Sequence, residues 1–109
     1  MIEESDTIDM ISESSDGVLW LTITDSGMTP EPDARYQLLI AKLSTYLAYL
    51  TGPQFARDFP GTAREKVKIR VMSATPATEK MAAIRQIRSR SIPVLEVPVE
   101  FVLFPAYQS

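Results

Sequence analysis

Two glutamates and a basic triplet are the residues of this chain whose spacing invites a chemical reading. Glu96 and Glu100 fall on the same side of an alternating apolar run and so share one strand face. Four residues at about 3.3 Å each set them roughly 13 Å apart, whereas the paired carboxylates of glycosidases stand about 5 to 9.5 Å apart. A bulge at Pro98 would shorten the gap somewhat. Pairing across strands with Lys66, Lys68 or Arg70 suits the spacing better than catalysis does. Those three cations lie on one side of a second alternating run, the side that Trp20 faces if the strands neighbour one another. An open sheet carrying aromatic and basic side chains can stack bases. Here a single aromatic and two glutamates share the face, so a solvated sheet face is expected and nucleic acid is not an expected partner.

Other chemistry is excluded by composition. The chain has no histidine and no cysteine, which removes the Ser-His-Asp triad, thiolate nucleophiles, disulfides and imidazole- or thiolate-ligated metals. Its four glycines, at 17, 27, 52 and 61, are isolated, so no G-x-G-x-x-G or P-loop exists to cradle a phosphate. No G-x-S-x-G, S-x-x-K or D-x-D-x-D-G run is present. Neither enzyme activity, nor a cofactor, nor a metal is expected.

The net charge of −3 conceals an asymmetry. Residues 1–33 hold nine carboxylates and no Lys or Arg, while residues 34–109 hold five carboxylates against all eleven Lys and Arg, a balance of +6. Either a basic face lies beside an acidic arm, or the two parts neutralise each other within one fold.

The elements that must position these groups form one domain over residues 1–109, with 1–6 polar and flexible and 105–109 a tail. Thr7 to Ile11 reads as a short strand, closed by the turn cluster Glu13-Ser14-Ser15-Asp16-Gly17. In Val18 to Thr24, Leu19, Leu21 and Ile23 oppose Val18, Trp20, Thr22 and Thr24. Asp33 to Thr51 is a long helix, with Asp33 capping it or Pro32 in its first turn, and with Gly52 suited to a left-handed ending before Pro53. Tyr36, Leu39, Ile40, Leu43, Tyr46, Leu47 and Leu50 form its apolar stripe. Pro53 opens a short helix that tucks in Phe55 and Phe59. Lys66 to Ser73 is a strand with Val67, Ile69 and Val71 inward. Thr75-Pro76 begins a second helix through about Arg90, with Ala77, Met81, Ile84 and Ile87 on its apolar side. Ile92 to Phe104 is the last strand, at an edge or bulged because of Pro98. The expected architecture is α+β, a two-layer sandwich of a four-stranded mixed sheet with two main helices on one face, in the order β-β-α-β-α-β with a short extra helix.

The pattern Leu39-x-x-Lys42-Leu43-x-x-Tyr46-Leu47, followed by Gly52, Pro60 and Val67-x-Ile69-x-Val71, resembles a family of small bacterial proteins catalogued only as a domain of unknown function. The resemblance covers about residues 7–104. It implies a bacterial cytosolic protein and brings no catalytic or binding residues with it.

Two surfaces are then candidates for contact. Trp20 and Val18, on the sheet face away from the helices, need cover, which self-association, the N-terminal arm or the Phe104-Pro105-Ala106-Tyr107 tail could supply. On the long helix, Leu38, Ala41, Thr45, Ala48 and Tyr49 form an uncharged back opposite the stripe, flanked by Arg35 and Lys42 on one side and Gln37 and Ser44 on the other. A surface helix would carry charge there, so a second layer, from the second helix, the Phe55/Phe59 turn or another subunit, is expected behind it. The expected function is a non-enzymatic binding or interaction module that forms a homodimer or meets another protein. The alternatives are a sheet-face nucleic-acid binder built on Lys66, Lys68 and Arg70, and an antitoxin- or immunity-like protein using its acidic first third. With no basic or apolar leader, and with Arg35, Gln37 and Lys42 interrupting the longest apolar run, a cytoplasmic location without a membrane span is expected.

Overall fold

In the computed structural model, which describes residues 1–90 and 95–104, alternation and helical periodicity become two layers. The strands are β1 (Met10–Glu13), β2 (Leu19–Asp25), β3 (Val67–Ser73), β4 (Gln86–Arg88) and β5 (Glu96–Leu103). The helices are α1 (Pro32–Thr51), α2 (Pro53–Asp58) and α3 (Glu79–Ala82), with a 3-10 turn at Arg64–Lys66. The sheet runs β1-β2-β3-β5-β4. The β2–β3 and β3–β5 pairs are parallel and the outer pairs antiparallel. Leu19, Leu21, Ile23, Val67, Ile69, Val71, Val97 and Val99 alternate onto one face and meet Leu39, Leu43, Tyr46 and Leu50 of α1.

The sheet therefore has five strands, not four. The expected second helix stops after one turn, and the chain then enters β4. Met81, Ile84 and Ile87 have helical spacing, yet Gln86-Ile87-Arg88-Ser89 also alternates. Pairing of Ile87 with Val97, closed by Ser89 N–H to the Leu95 carbonyl at 2.8 Å, decides for strand. Pro98 is neither at an edge nor in a bulge. The N–H of Val99 points to β4 and bonds the Arg85 carbonyl, so the donor that Pro98 lacks would point to β3, just before that ladder begins at Ile69↔Val99.

At the start of α1, Glu31 rather than Asp33 is the cap. Its carboxylate accepts from Asp33 and Ala34 N–H, and Pro32 occupies the first turn. Gly52 is extended (φ −91°), not left-handed; a Cβ there would meet the Ala48 carbonyl at 3.0 Å, so space is what requires glycine.

The buried stripe of α1 is rotated by roughly 50° from the expected one. It includes Arg35 and Lys42, expected on a flank, while Ile40, expected inside, is 36% exposed. Each buried cation has a carboxylate. Arg35 Nε meets Asp25 at 2.7 Å, and its other nitrogens donate to the carbonyls of Pro76 (2.8 Å) and Thr75 (3.1 Å). Lys42 Nζ, 0% exposed, meets Asp9 at 2.8 Å and donates to the carbonyls of Glu4 and Thr7.

This pairing draws in the start of the chain, which was expected to be flexible. Ile2 is fully buried and its N–H bonds the Thr24 carbonyl at 2.8 Å. Asp9 accepts from Thr24 N–H at 3.0 Å, and its own N–H donates to the Tyr46 hydroxyl, which donates to the Thr22 carbonyl at 2.7 Å. With both backbone groups of Thr24 taken, β1 cannot pair beyond Met10 and lies later than the expected Thr7 to Ile11. Burial pushes the Tyr46 phenol well above its usual range.

Burial alone would raise the Asp9 carboxyl, but hydrogen bonds from Lys42, the amino terminus and Thr24 outweigh it and hold it below its ordinary 3.8. A depressed carboxyl stabilises the fold above the unfolded-chain value and loses that contribution as pH falls through the folded one. Urea unfolding should therefore show stability falling below about pH 4. Asp9→Asn should lose about 3 kcal/mol at neutral pH, by stranding the Lys42 charge, and should flatten that acid limb.

Candidate functional site

The helices cover one face of the sheet; among the described residues no helix lies on the other. Parallel register fixes what that open face displays. Trp20 is level with Lys68, Arg70 with Glu100, and Met72 with Val102. On β1, Met10 lies beside Thr22 and Ser12 beside Trp20. On the far side, Gln86 lies beside Pro98 and Arg88 beside Glu96. The face is thus striped along the strands, with a basic row on β3 adjoining an acidic row on β5. Met72, Val102 and Phe104 form an apolar end, where Val102 is 37% and Phe104 36% exposed.

Trp20 is covered from within its own sheet. The Arg70 guanidinium carbon stands 4.1 Å from the ring centroid and the Lys68 ammonium 5.7 Å. A cation over an aromatic face gains electrostatic attraction, and its methylene stem shields the ring. Among the described residues no carboxylate lies within ion-pair distance of Arg70, although Glu100 is its neighbour in register. Glu96 has a loose, exposed contact with Arg88 at 3.8 Å.

The structure brings some of the expected site residues together and separates others. Trp20, Lys68 and Arg70 converge. Lys66 ends the 3-10 turn ahead of β3 and is exposed there. Val18 is taken into the β1–β2 turn, where its carbonyl accepts from Ser14 N–H at 2.9 Å. Along the back of α1, Ala41 and Ala48 are exposed, while Leu38, Thr45 and Tyr49 are half-buried. The Thr45 hydroxyl donates to the Ser5 carbonyl. Tyr49 packs edge-on against Phe55 at 5.7 Å and donates to Asp58 at 2.9 Å. Burial and that hydrogen bond push its phenol up to about 12. Part of the second layer expected behind the helix is thus the N-terminal arm and α2, which enclose a cleft of about 700 Å³ over Thr45, Ala48 and Tyr49. The 105–107 part of the tail named as cover for Trp20 lies outside the described residues.

Met72 and Val102 were not singled out by sequence reasoning, and Glu100 entered it only as half of a carboxylate pair and as a cross-strand partner for Lys66, Lys68 or Arg70. Their importance comes from the β3–β5 register, and the signal available was the alternation of Glu96, Glu100 and Val102 on one face. Among the described residues no three metal-ligating side chains converge on a point. No helix among the described residues is long and apolar enough to cross a membrane.

A family described as "Family of unknown function (DUF6572)" matches residues 1–103, in keeping with the expected resemblance. No curated protein and no solved structure matches the chain.

Trp20 is the one tryptophan, so its fluorescence reports on this face directly. Arg70→Ala should uncover the ring and move its emission to longer wavelength. Lys68→Ala, removing the more distant cation, should move it less.

Proposed function

The chain belongs to the DUF6572 family, which lends it no activity, and we propose from its own surfaces that it is a non-enzymatic interaction module that self-associates through the open sheet face. The observation that carries this reading is the pair of adjoining stripes, Lys68 and Arg70 on β3 and Glu96 and Glu100 on β5. Such a pattern is complementary to itself. A two-fold axis parallel to the strands, between β3 and β5, lays β3 of one copy over β5 of the other at equal height. Arg70 then meets Glu100 of the second copy twice over, and Met72 meets Val102. Stacked sheets lie about 10 Å apart, a gap that Arg and Glu side chains span from opposite sides.

Apolar exposure supports the same face. Val102, 37% exposed, would lose contact with water on pairing. For a nucleic-acid ligand the arrangement is poor, because Arg70 already occupies the face of Trp20 and Glu100 stands beside it.

Light scattering at tens of micromolar should give twice the 12.2 kDa chain mass. Val102→Glu, at a surface position, should give the monomer mass with the circular-dichroism spectrum of the folded chain retained. A monomer from the unaltered protein, or a dimer indifferent to Val102→Glu, would overturn this reading.

A further inference from the structure

A different surface lies on the helical side. A groove of about 560 Å³ runs between α1 and β4. Its α1 wall is Tyr36, Ile40, Leu43 and Leu47, an i, i+4, i+7, i+11 ridge about 16 Å long, and its other wall includes Ile84 and Ile87. Ile40 is 36% exposed, and Leu47, Ile84 and Ile87 are only half-buried. A ridge of that spacing is what a neighbouring helix packs against.

The layer has room for that neighbour. Five strands at about 4.8 Å spacing make a sheet near 19 Å across, and one helix with its side chains is about 10 Å wide. Among the described residues α1 is the one long helix on that face, since α3 ends after a single turn at Ala82.

Charge selects the occupant. Arg90 lines the groove, Lys80 lies 4.3 Å over the Tyr36 ring at its margin, and Arg88 contributes to the β4 rim while its guanidinium turns to Glu96 on the other face. No carboxylate is among the described lining residues. We infer that this groove takes an acidic amphipathic helix from a partner protein, its apolar edge against the α1 ridge and its carboxylates towards Arg90 and Lys80. Neither the second copy of the chain nor the open sheet face is needed for it.

The probe is a labelled peptide of about sixteen residues, long enough to span the ridge, with leucines at i, i+4, i+7 and i+11 and glutamates on both flanks. A control peptide carries lysines in place of the glutamates. Fluorescence anisotropy should show the acidic peptide binding at least about tenfold more tightly than the control, with the difference shrinking as salt is raised. Amide shifts in an isotope-labelled sample should concentrate at Ile40, Ser44, Leu47, Ile84 and Ile87. Ile40→Glu should abolish binding without changing the melting curve, and Arg90→Glu should weaken it. Equal binding of both peptides, or none, would overturn the inference. So would dodecanoate producing the same shifts while the peptide produces none, or loss of the dimer mass on Ile40→Glu, which would make a second copy the occupant.

Discussion

Two buried ion pairs on one side of α1 set the rest of this structure. Arg35 and Lys42 lie seven residues apart, two turns of helix, so both point the same way. Neither can be buried without a counter-charge, because an unpaired ion in a protein interior costs several kcal/mol. Asp25 ends β2 and answers Arg35; Asp9 precedes β1 and answers Lys42. Together they fix the rotation of α1 about its axis, and that rotation decides which helix residues are inside. The same pairs fasten the N-terminal arm, since the Lys42 ammonium also needs the carbonyls of Glu4 and Thr7. Much of the acidic first third of the chain is consumed in this way: Asp9 and Asp25 in ion pairs, Glu31 as a helix cap, and Glu3 in a bond to Thr29. Charge neutralisation within one fold accounts for these.

The rotation has a second effect. Turning Arg35 and Lys42 inwards carries Ile40 and Leu47 outwards, towards β4. Apolar side chains that a plain stripe would bury are thereby left at a groove margin. On the opposite side of the sheet no helix covers the strands, and their side chains must find cover among themselves. Trp20 does so under Arg70, which gains a stacking partner while its charge stays unmatched within the described residues. The outward drift of α1's apolar flank and the striped sheet face have separate physical origins.

The layer arrangement was legible in the chain because alternation in Val67-x-Ile69-x-Val71 and periodicity over Leu39, Leu43, Tyr46 and Leu50 are local signals. What escaped was set by long-range pairing. Residues 79–90 carry helical and strand patterns at once, and only contact with β5 selects between them. Arg35 and Lys42 look like surface residues until Asp25 and Asp9, ten and thirty-three positions away, are brought to them. Of the candidate site, Lys68 and Arg70 share a face by their own spacing, and Trp20 joins them only once β2 and β3 are known to be neighbours. The significance of Glu100 and Val102 rests on parallel register with β3, which no local pattern encodes.

The proposed pairing of sheet faces is tested most directly by mixing two charge-reversed variants. Arg70→Glu alone opposes glutamate to glutamate across the two-fold axis, and Glu100→Arg alone opposes arginine to arginine, so each by itself should scatter light as a monomer. In an equimolar mixture every such contact joins Glu to Arg, and the two variants should form a heterodimer. A mixture that remains monomeric, or single variants that dimerise as the unaltered protein does, would contradict the assignment of this face as the self-association surface.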